Sequence, residues 1–384
     1  MRVAVVAGPD PGHLFPAAAL CLRLSAAGHA VRLYSGDRYA ASLARDGVSL
    51  VRLPLLGAAP DDPDTDLGFR LHLRQARLAP AVADLLRADA PDLVVADVLT
   101  TVGGFAAELL GVPWVELVPH SLHLPSVALP PPNSGMAPGR GAVGRARDAV
   151  LRRLHARSVA VGRSQRAEAR ALLGLGGDDP GPAWRMVATM PALEYPRPDW
   201  PARTEIVGPL HWDPAEELLA PPTGTGPLVV VSPSTAASGR AGLLPTALAA
   251  LRGMRLAATV LEPYAAMVPE GAVVGAGRQG ALLERADVAV VGAGHGVVTK
   301  ALGYGVPLVL VPGGGDQLDL ARRVARLGAG VVVRRLDPAR LAAAVRRVLG
   351  DPSYAAAARR VAGEAADCAD VVTVCERALT GSAA

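Results

Sequence analysis

The 384-residue chain is 51% hydrophobic and 19% charged, which excludes a disordered polymer and suffices for two domain cores. Its formal charge of +4 does not point to nucleic acid: Lys300 is the sole lysine, the rest is arginine spread through an Ala-, Gly- and Pro-rich chain, and aromatics stand at 3%. Cys21, Cys368 and Cys375 have neither zinc-site nor disulfide-framework spacing, so a reducing cytoplasm and no metal are expected.

In chain order, residues 2–7 read as a strand, too short for the apolar core of a signal peptide. A helix over 13–27, a strand over 30–35, a helix over 38–46 and a strand over 48–53 follow. After a Pro/Asp-rich loop at 57–68 come a strand over 93–96, a helix over 101–110 and a strand over 114–118. A Pro/Gly-rich loop at 125–144 leads into an Arg-dense helix over 145–173, whose basic face suits either solvent or a membrane surface. Residues 196–227, rich in Pro, read as a linker. The alternation then resumes, with strands over 228–231, 256–260, 288–291, 308–311 and 331–333. Helices lie over 243–252, 297–302, 318–327, 338–349 and 352–379. No apolar run reaches the length of about 18 residues that a membrane-spanning helix needs. Apolar strands alternating with helices predict parallel sheets covered on both faces, hence two doubly wound α/β domains.

Two glycine-rich turns carry chemistry in the second half. VGAGHGVVTKALGYGVP sets Gly294, His295, Gly296 and Val297 between strand and helix, where free N–H groups and the helix dipole favour phosphate. Steric need alone would also explain those glycines. One βα unit later, VPGGGDQLDLARRV puts Asp316 and Gln317 at a helix start. A carboxylate beside an amide suits sugar hydroxyls, although Asp316 would equally serve as a helix cap. In the first half, His13 follows Gly12 just after the first strand and Asp97 follows strand 93–96. Both stand at C-terminal strand ends, where open parallel sheets bind ligands.

Together these stretches resemble the family-1 nucleotide-sugar glycosyltransferases of the actinobacterial natural-product, macrolide type, over most of the chain. GVPLVLVPGGGDQ and the following LARRVARLGAGVVV are similar to that family's donor motif. AGPDPGHLFPAAALCLRLSAAGHAVRLYS is similar to its first strand, GHxxP turn and helix, and ALEYPRPDWPARTEIVGPL to its linker entry. The resemblance implies the GT-B fold, two Rossmann-like domains facing across a cleft. Residues 1–200 would bind the acceptor, 201–226 would be the linker, 227–352 would bind the nucleotide-sugar, and 353–384 would return to the first domain.

The implied reaction is inverting transfer of a hexose or deoxyhexose from a UDP- or TDP-sugar to a hydroxyl of an apolar small molecule, without cofactor or metal. His13 is implied as the base, a task that suits a side chain titrating near neutrality, and Asp97 as its orienter. Residues 294–298, through Val298, would form the phosphate turn, and Asp316 with Gln317 would hold the sugar. Ser234 and Thr235, with Ser232, would add hydroxyls, and Arg278 and Gln279 would meet the base. Gly12, Phe15, His72, His120 and His123 are the acceptor candidates, with Leu14, Phe69 and Met136 weaker ones. Three positions differ from the family. Its diphosphate-binding His falls at Gly292, its ribose-holding acid at Lys300, and its small hydroxyl residue at Val297. Phosphate binding is therefore expected to rest on backbone N–H groups, with charge added by Lys300. The rival expectation is a catalytically degenerate GT-B protein that binds a ligand or serves as an auxiliary partner.

Overall fold

The computed structural model describes residues 1–54, 66–236 and 238–381; most of the loop expected over 57–68 lies outside them. The first half forms a parallel sheet from β1 (Arg2–Val6), β2 (Ala30–Ser35), β3 (Leu50–Arg52), β4 (Leu93–Asp97), β5 (Trp114–Val118), β6 (Trp184–Val187) and β7 (Thr204–Ile206). Its order is β3-β2-β1-β4-β5-β6-β7. The second sheet comprises β8 (Leu228–Ser232), β9 (Arg255–Thr259), β10 (Ala272–Gly275), β11 (Val288–Val291), β12 (Leu308–Leu310) and β13 (Gly330–Val332), ordered β10-β9-β8-β11-β12-β13.

Helices α1 (Pro11–Ala26), α2 (Ala40–Arg45), α3 (Arg74–Ala76), α4 (Ala79–Asp89), α5 (Val102–Leu110) and α6 (Gly141–Leu172) belong to the first half. The second carries α7 (Leu243–Ala250), α8 (Gln279–Leu283), α9 (His295–Gly303), α10 (Gln317–Arg326), α11 (Pro338–Gly350), α12 (Pro352–Gly363) and α13 (Val371–Thr380).

Alternation along the strands explains the layering, because successive side chains leave a strand on opposite faces. Val3 and Val5 of β1 pack with Leu20 of α1 and Val374 of α13, while Ala4 and Val6 pack with Leu86 of α4 and Phe105 of α5. In the second sheet Val229 and Val231 meet α7 and α11, and Val230 meets α9, α10 and α12. Both faces of each sheet are therefore apolar, as parallel sheets require.

Four expectations change. Strands β6 and β10 have no counterpart in the sequence reading, and β7 lies inside the expected linker, so the first sheet runs on to Ile206. The segment between β6 and β7 leaves its own sheet and buries Met190 and Leu193 in the core of the second half. The end of the chain divides: α12 stays in the second half through Ala357, Ala358 and Val361, and α13 returns to the first through Val371, Val374 and Cys375. The single helix expected over 352–379 is broken at 364–370. Among the described residues no helix is long and apolar enough to cross a membrane.

Candidate active site

β1 and β4 are neighbours in parallel register, Val6 opposite Ala96, so the residues after each strand emerge at the same sheet edge. Pro11 begins α1, where its missing N–H costs nothing, and His13 falls in the first turn. His13 Nδ1 lies 2.8 Å from Asp97 Oδ2. The carboxylate is held from its other side as well: Asp97 Oδ1 accepts from the Leu99 N–H at 3.0 Å and the Thr100 hydroxyl at 3.3 Å. Asp97 is wholly buried, whereas the His13 side chain keeps 18% of its surface exposed. Burial works against charging His13, but the charge and hydrogen bond of Asp97, with the charges of Asp10 and Asp316, outweigh it and raise the imidazole above its ordinary value. With Nδ1 committed to Asp97, Nε2 is the ring nitrogen left for another partner.

The influence of Asp316 on His13 sets the second-half site opposite the first. Asp316 stands at the N-terminal boundary of α10, and its side chain makes no capping hydrogen bond, so the capping explanation fails. Facing the same cleft is α9, where the first helical hydrogen bond runs from the Val298 N–H to Gly294 O at 3.1 Å. The N–H groups before it have no partner within the helix. A Cβ added at Gly294 or Gly296 would meet nothing within 4 Å, and the same holds at Gly12 across the cleft. Open space thus lies over a helix N-terminus whose dipole favours an anion. The expectation for Val298 is corrected: its N–H is spent inside the helix and its side chain is core. Val297 is partly buried against the same core and contributes only backbone.

The glycine at 292 has a structural cause. A Cβ there would lie 2.5 Å from the Ser234 backbone nitrogen, so the loop after β8 occupies the space that the family's histidine would need. That loop is strapped to the one after β12, because the Gly314 N–H donates to Ser238 O at 2.7 Å and Arg240 Nη2 to Pro312 O at 3.1 Å. Gly292→Ala should destabilise the protein by about 1–3 kcal/mol through overpacking. Gly294→Ala, in open space at φ −67°, should change stability by less than about 0.5 kcal/mol. Equal urea midpoints for the two variants would contradict this.

Several candidates turn out to be occupied. Gln317 is buried, accepting from the Gly313 N–H at 2.8 Å and donating to Ser234 Oγ at 3.1 Å, so it braces the loops instead of reaching for a sugar. Gln279 donates to Ser232 Oγ at 2.8 Å and Thr259 Oγ1 at 3.1 Å, while Arg278 and Thr235 are exposed. Lys300 is buried and gives its ammonium to Asp213 at 2.9 Å, far from the free role expected of it. His295 spends Nε2 on Thr189 of the first half at 2.9 Å. Burial, with His120, His211 and Arg323 nearby, holds it well below the usual imidazole range.

Phe15 belongs to an aromatic cluster, edge-on to Tyr39 at 5.2 Å and to Trp212 at 5.3 Å. His72 lies on the turn Phe69–Leu73 against α6, where burial and Arg166 push it down to about 4. Neither supports an acceptor role.

His120 and His123 do face the cleft. Their rings stand edge to face at 5.8 Å in a crevice between the 120–136 loop and α10, with His295, Asp316 and Arg323 on its far wall. Burial, with His120, Arg185 and Arg197 nearby, pushes His123 down to about 3, so it is neutral. Ser121 Oγ, His123 Nδ1 and Arg197 Nε are buried without a hydrogen-bond partner, and all belong to residues lining this crevice, as does Tyr195.

Sequence reading missed the network that holds the crevice together. Arg323 donates to Leu193 O at 2.6 Å, Glu194 Oε2 at 3.2 Å and Asp319 Oδ2 at 3.2 Å, and lies over the Tyr195 ring at 4.3 Å. Glu194 in turn accepts from the Leu122 N–H at 2.6 Å. Among the described residues no three His, Cys, Asp or Glu side chains converge to hold a metal ion.

Two parallel-sheet domains facing across a cleft, one presenting a His–Asp pair and the other a helix N-terminus, define the GT-B class of glycosyltransferase. Solved structures share the architecture. The glycotransferase of kitacinnamycin superposes with a TM-score of 0.72 at 23% identity, covering 95% of this chain and 94% of that one. The Streptomyces sp. SF2575 glycosyltransferase SsfS6, complexed with thymidine diphosphate, gives 0.71 at 23%, covering 98% and 99%. Residues 258–377 match the C-terminal domain of erythromycin biosynthesis protein CIII-like proteins. The 4'-demethylrebeccamycin synthase of Lentzea aerocolonigenes is 30% identical over 92% of this chain and 93% of its own. The L-demethylnoviosyl transferase of Streptomyces niveus is 29% identical over 91% and 90%. The chain belongs to the glycosyltransferases of actinobacterial natural-product pathways, the family of 4'-demethylrebeccamycin synthase, and its residues 258–377 carry the erythromycin CIII-like C-terminal domain.

Proposed function

We propose that the protein is an inverting transferase that moves a hexose or deoxyhexose from a TDP- or UDP-sugar to a hydroxyl of a small-molecule acceptor. The observation that carries this reading is the bonded His13–Asp97 pair set across the cleft from Asp316 and the open N-terminus of α9. The acceptor oxygen attacks the anomeric carbon as its proton passes to His13 Nε2. The glycosidic bond breaks with its electrons going to the diphosphate, which the N–H groups of His295, Gly296 and Val297 stabilise in place of a metal ion. Asp316, uncommitted to a cap, accepts hydrogen bonds from the sugar hydroxyls. The thymidine diphosphate bound to SsfS6 favours TDP over UDP.

The acceptor we infer is not wholly apolar. The polar side chains among the crevice lining, Ser121, His123, Tyr195 and Arg197 beside Leu122, Leu124 and Leu129, favour an apolar body that carries an edge of oxygen functions. The degenerate-binder reading rests on Gly292, Val297 and Lys300; local packing accounts for the first and an ion pair with Asp213 for the third, and nucleotide binding decides whether backbone donors suffice.

A thermal-shift comparison of TDP, UDP and GDP tests the donor end. At a hundred times its dissociation constant a true ligand adds about 2.7 kcal/mol to stability. TDP should raise the melting temperature most; no shift with any nucleotide would sink the transferase reading.

A further inference from the structure

Helix α6 is the long element that the transfer reading leaves unused. Val143, Val150, Leu154, Val161 and Leu172 are each 55% to 85% exposed. At 3.6 residues per turn, each lies within about a tenth of a turn of a whole number of turns from Val143. They form one aliphatic row along a helix of 32 residues, which is about 48 Å long. Single exposed aliphatics are ordinary, but five on one helix face, with Arg147, Arg157, Gln165 and Glu168 beside and between them, make a mixed stripe of the kind found at weak interfaces.

The row is symmetric about its own centre. Val143 and Leu172 are equidistant from the point between Arg157 and Ser158, and so are Leu154 and Val161. Arg147 and Glu168, which flank the row, are equidistant from it too. A second copy laid antiparallel about a twofold axis at that point sets Val143 on Leu172 of the partner subunit and Leu154 on Val161 of the partner subunit. Arg147, whose guanidinium also serves Asp148, then faces Glu168 of the partner subunit at each end. Val150 meets the stem of Gln165, whose amide is held by Asp66 at 2.9 Å. A surface that is its own complement under a twofold rotation is what an isologous interface requires.

We propose that α6 is a dimerisation helix, pairing antiparallel with α6 of a second copy. A strip about 10 Å wide and 48 Å long buries on the order of 1,000 Å² over both copies, at the low end for a specific interface. An interface of that size belongs to weak, transient association, so the dimer is sought at micromolar and higher concentration. One feature opposes it: the Arg157 side chains of the two copies approach at the axis. Arg157→Ala should accordingly tighten the dimer by about threefold or more, since like charges meeting at an interface rim repel.

Sedimentation velocity from about 1 to 100 μM, a range that brackets micromolar association, should show a monomer–dimer equilibrium. Leu154→Glu with Val161→Glu puts four carboxylates at the centre and should leave only monomer. Both positions are solvent-exposed, so an unchanged melting temperature at low concentration will show the fold intact. Ser158→Cys in a Cys368→Ser background should give a covalent dimer on mild oxidation that Cys368→Ser alone does not form, because Cys21 and Cys375 are buried and Cys368 is the partly exposed thiol. A monomer at every concentration, or a dimer indifferent to the two glutamates, would overturn the proposal. So would a monomer that sediments with phosphatidylglycerol vesicles through this face. Arg157→Ala separates that alternative, because it weakens attraction to an anionic bilayer and strengthens self-association.

Discussion

Replacing His13 with alanine should slow sugar transfer by about 10²–10⁴-fold, the worth of a positioned general base, and leave nucleotide binding nearly unchanged. The asymmetry follows from geometry: His13 stands on the first half, and the α9 N-terminus that would receive the diphosphate stands on the second. Loss of nucleotide binding in the variant would show the base assignment to be wrong. The pH dependence is a sharper test. His13 must be neutral to accept a proton, and its imidazole is raised above 6.5. The acid limb of kcat/KM should therefore lie above 6.5, with activity falling as the pH drops through it. Burial is the largest single influence on His13 and acts downward; Asp97 reverses it. In Asp97→Asn the chief upward influence is lost while Asp10 and Asp316 remain, so the residual activity should show an acid limb lower than that of the native protein. An unmoved limb would mean that the titrating group is not His13.

The His13–Asp97 pair was legible because its signal is local at both ends. Asp97 closes one apolar strand and His13 lies in the first turn of the helix that follows another, and adjacent parallel strands deliver such residues to one edge. The strands around 3–6, 93–96 and 288–291 were equally plain, being apolar on both faces. Strand β7 was not: it is a three-residue edge strand, Thr-Glu-Ile, in a Pro-rich stretch with no periodicity. The glycine-rich turn was legible as a strand end followed by a helix start, which is how β11 and α9 stand, and the polar pairing around it was not. Whether Gln317 is free for a ligand or spent on Gly313 and Ser234 depends on a loop 83 residues away. Lys300 and Asp213, 87 residues apart, leave no pattern in the chain that would pair them. Spacing announces a helix start or a strand end, whereas long-range polar pairing is decided only when the chain folds and distant loops meet.

Arg323→Ala should destabilise the protein by about 3–5 kcal/mol, as expected when a buried ion pair loses one partner. Arg323 and Glu194 are each only 6% exposed in their side chains, so water cannot replace the lost guanidinium. Burial already raises Glu194 above the ordinary carboxylate range, with Arg323 the chief influence in the other direction. Without Arg323 the carboxyl rises further. Its folded value then lies well above its unfolded one, so the charged form penalises folding at neutral pH and the penalty fades as pH falls toward the unfolded carboxylate value. The stability deficit in urea titrations should therefore be larger at pH 8 than at pH 5. Adding Glu194→Gln should restore part of the loss, because an amide oxygen still accepts from the Leu122 N–H while the unpaired charge is gone. Activity should separate from stability in this double variant. Leu122 and Arg323 border the crevice that holds Ser121, His123, Tyr195 and Arg197, so acceptor KM should stay raised even where the fold has recovered. If KM recovered together with stability, the network would be a structural brace alone, and the crevice beside it would have no part in holding the acceptor.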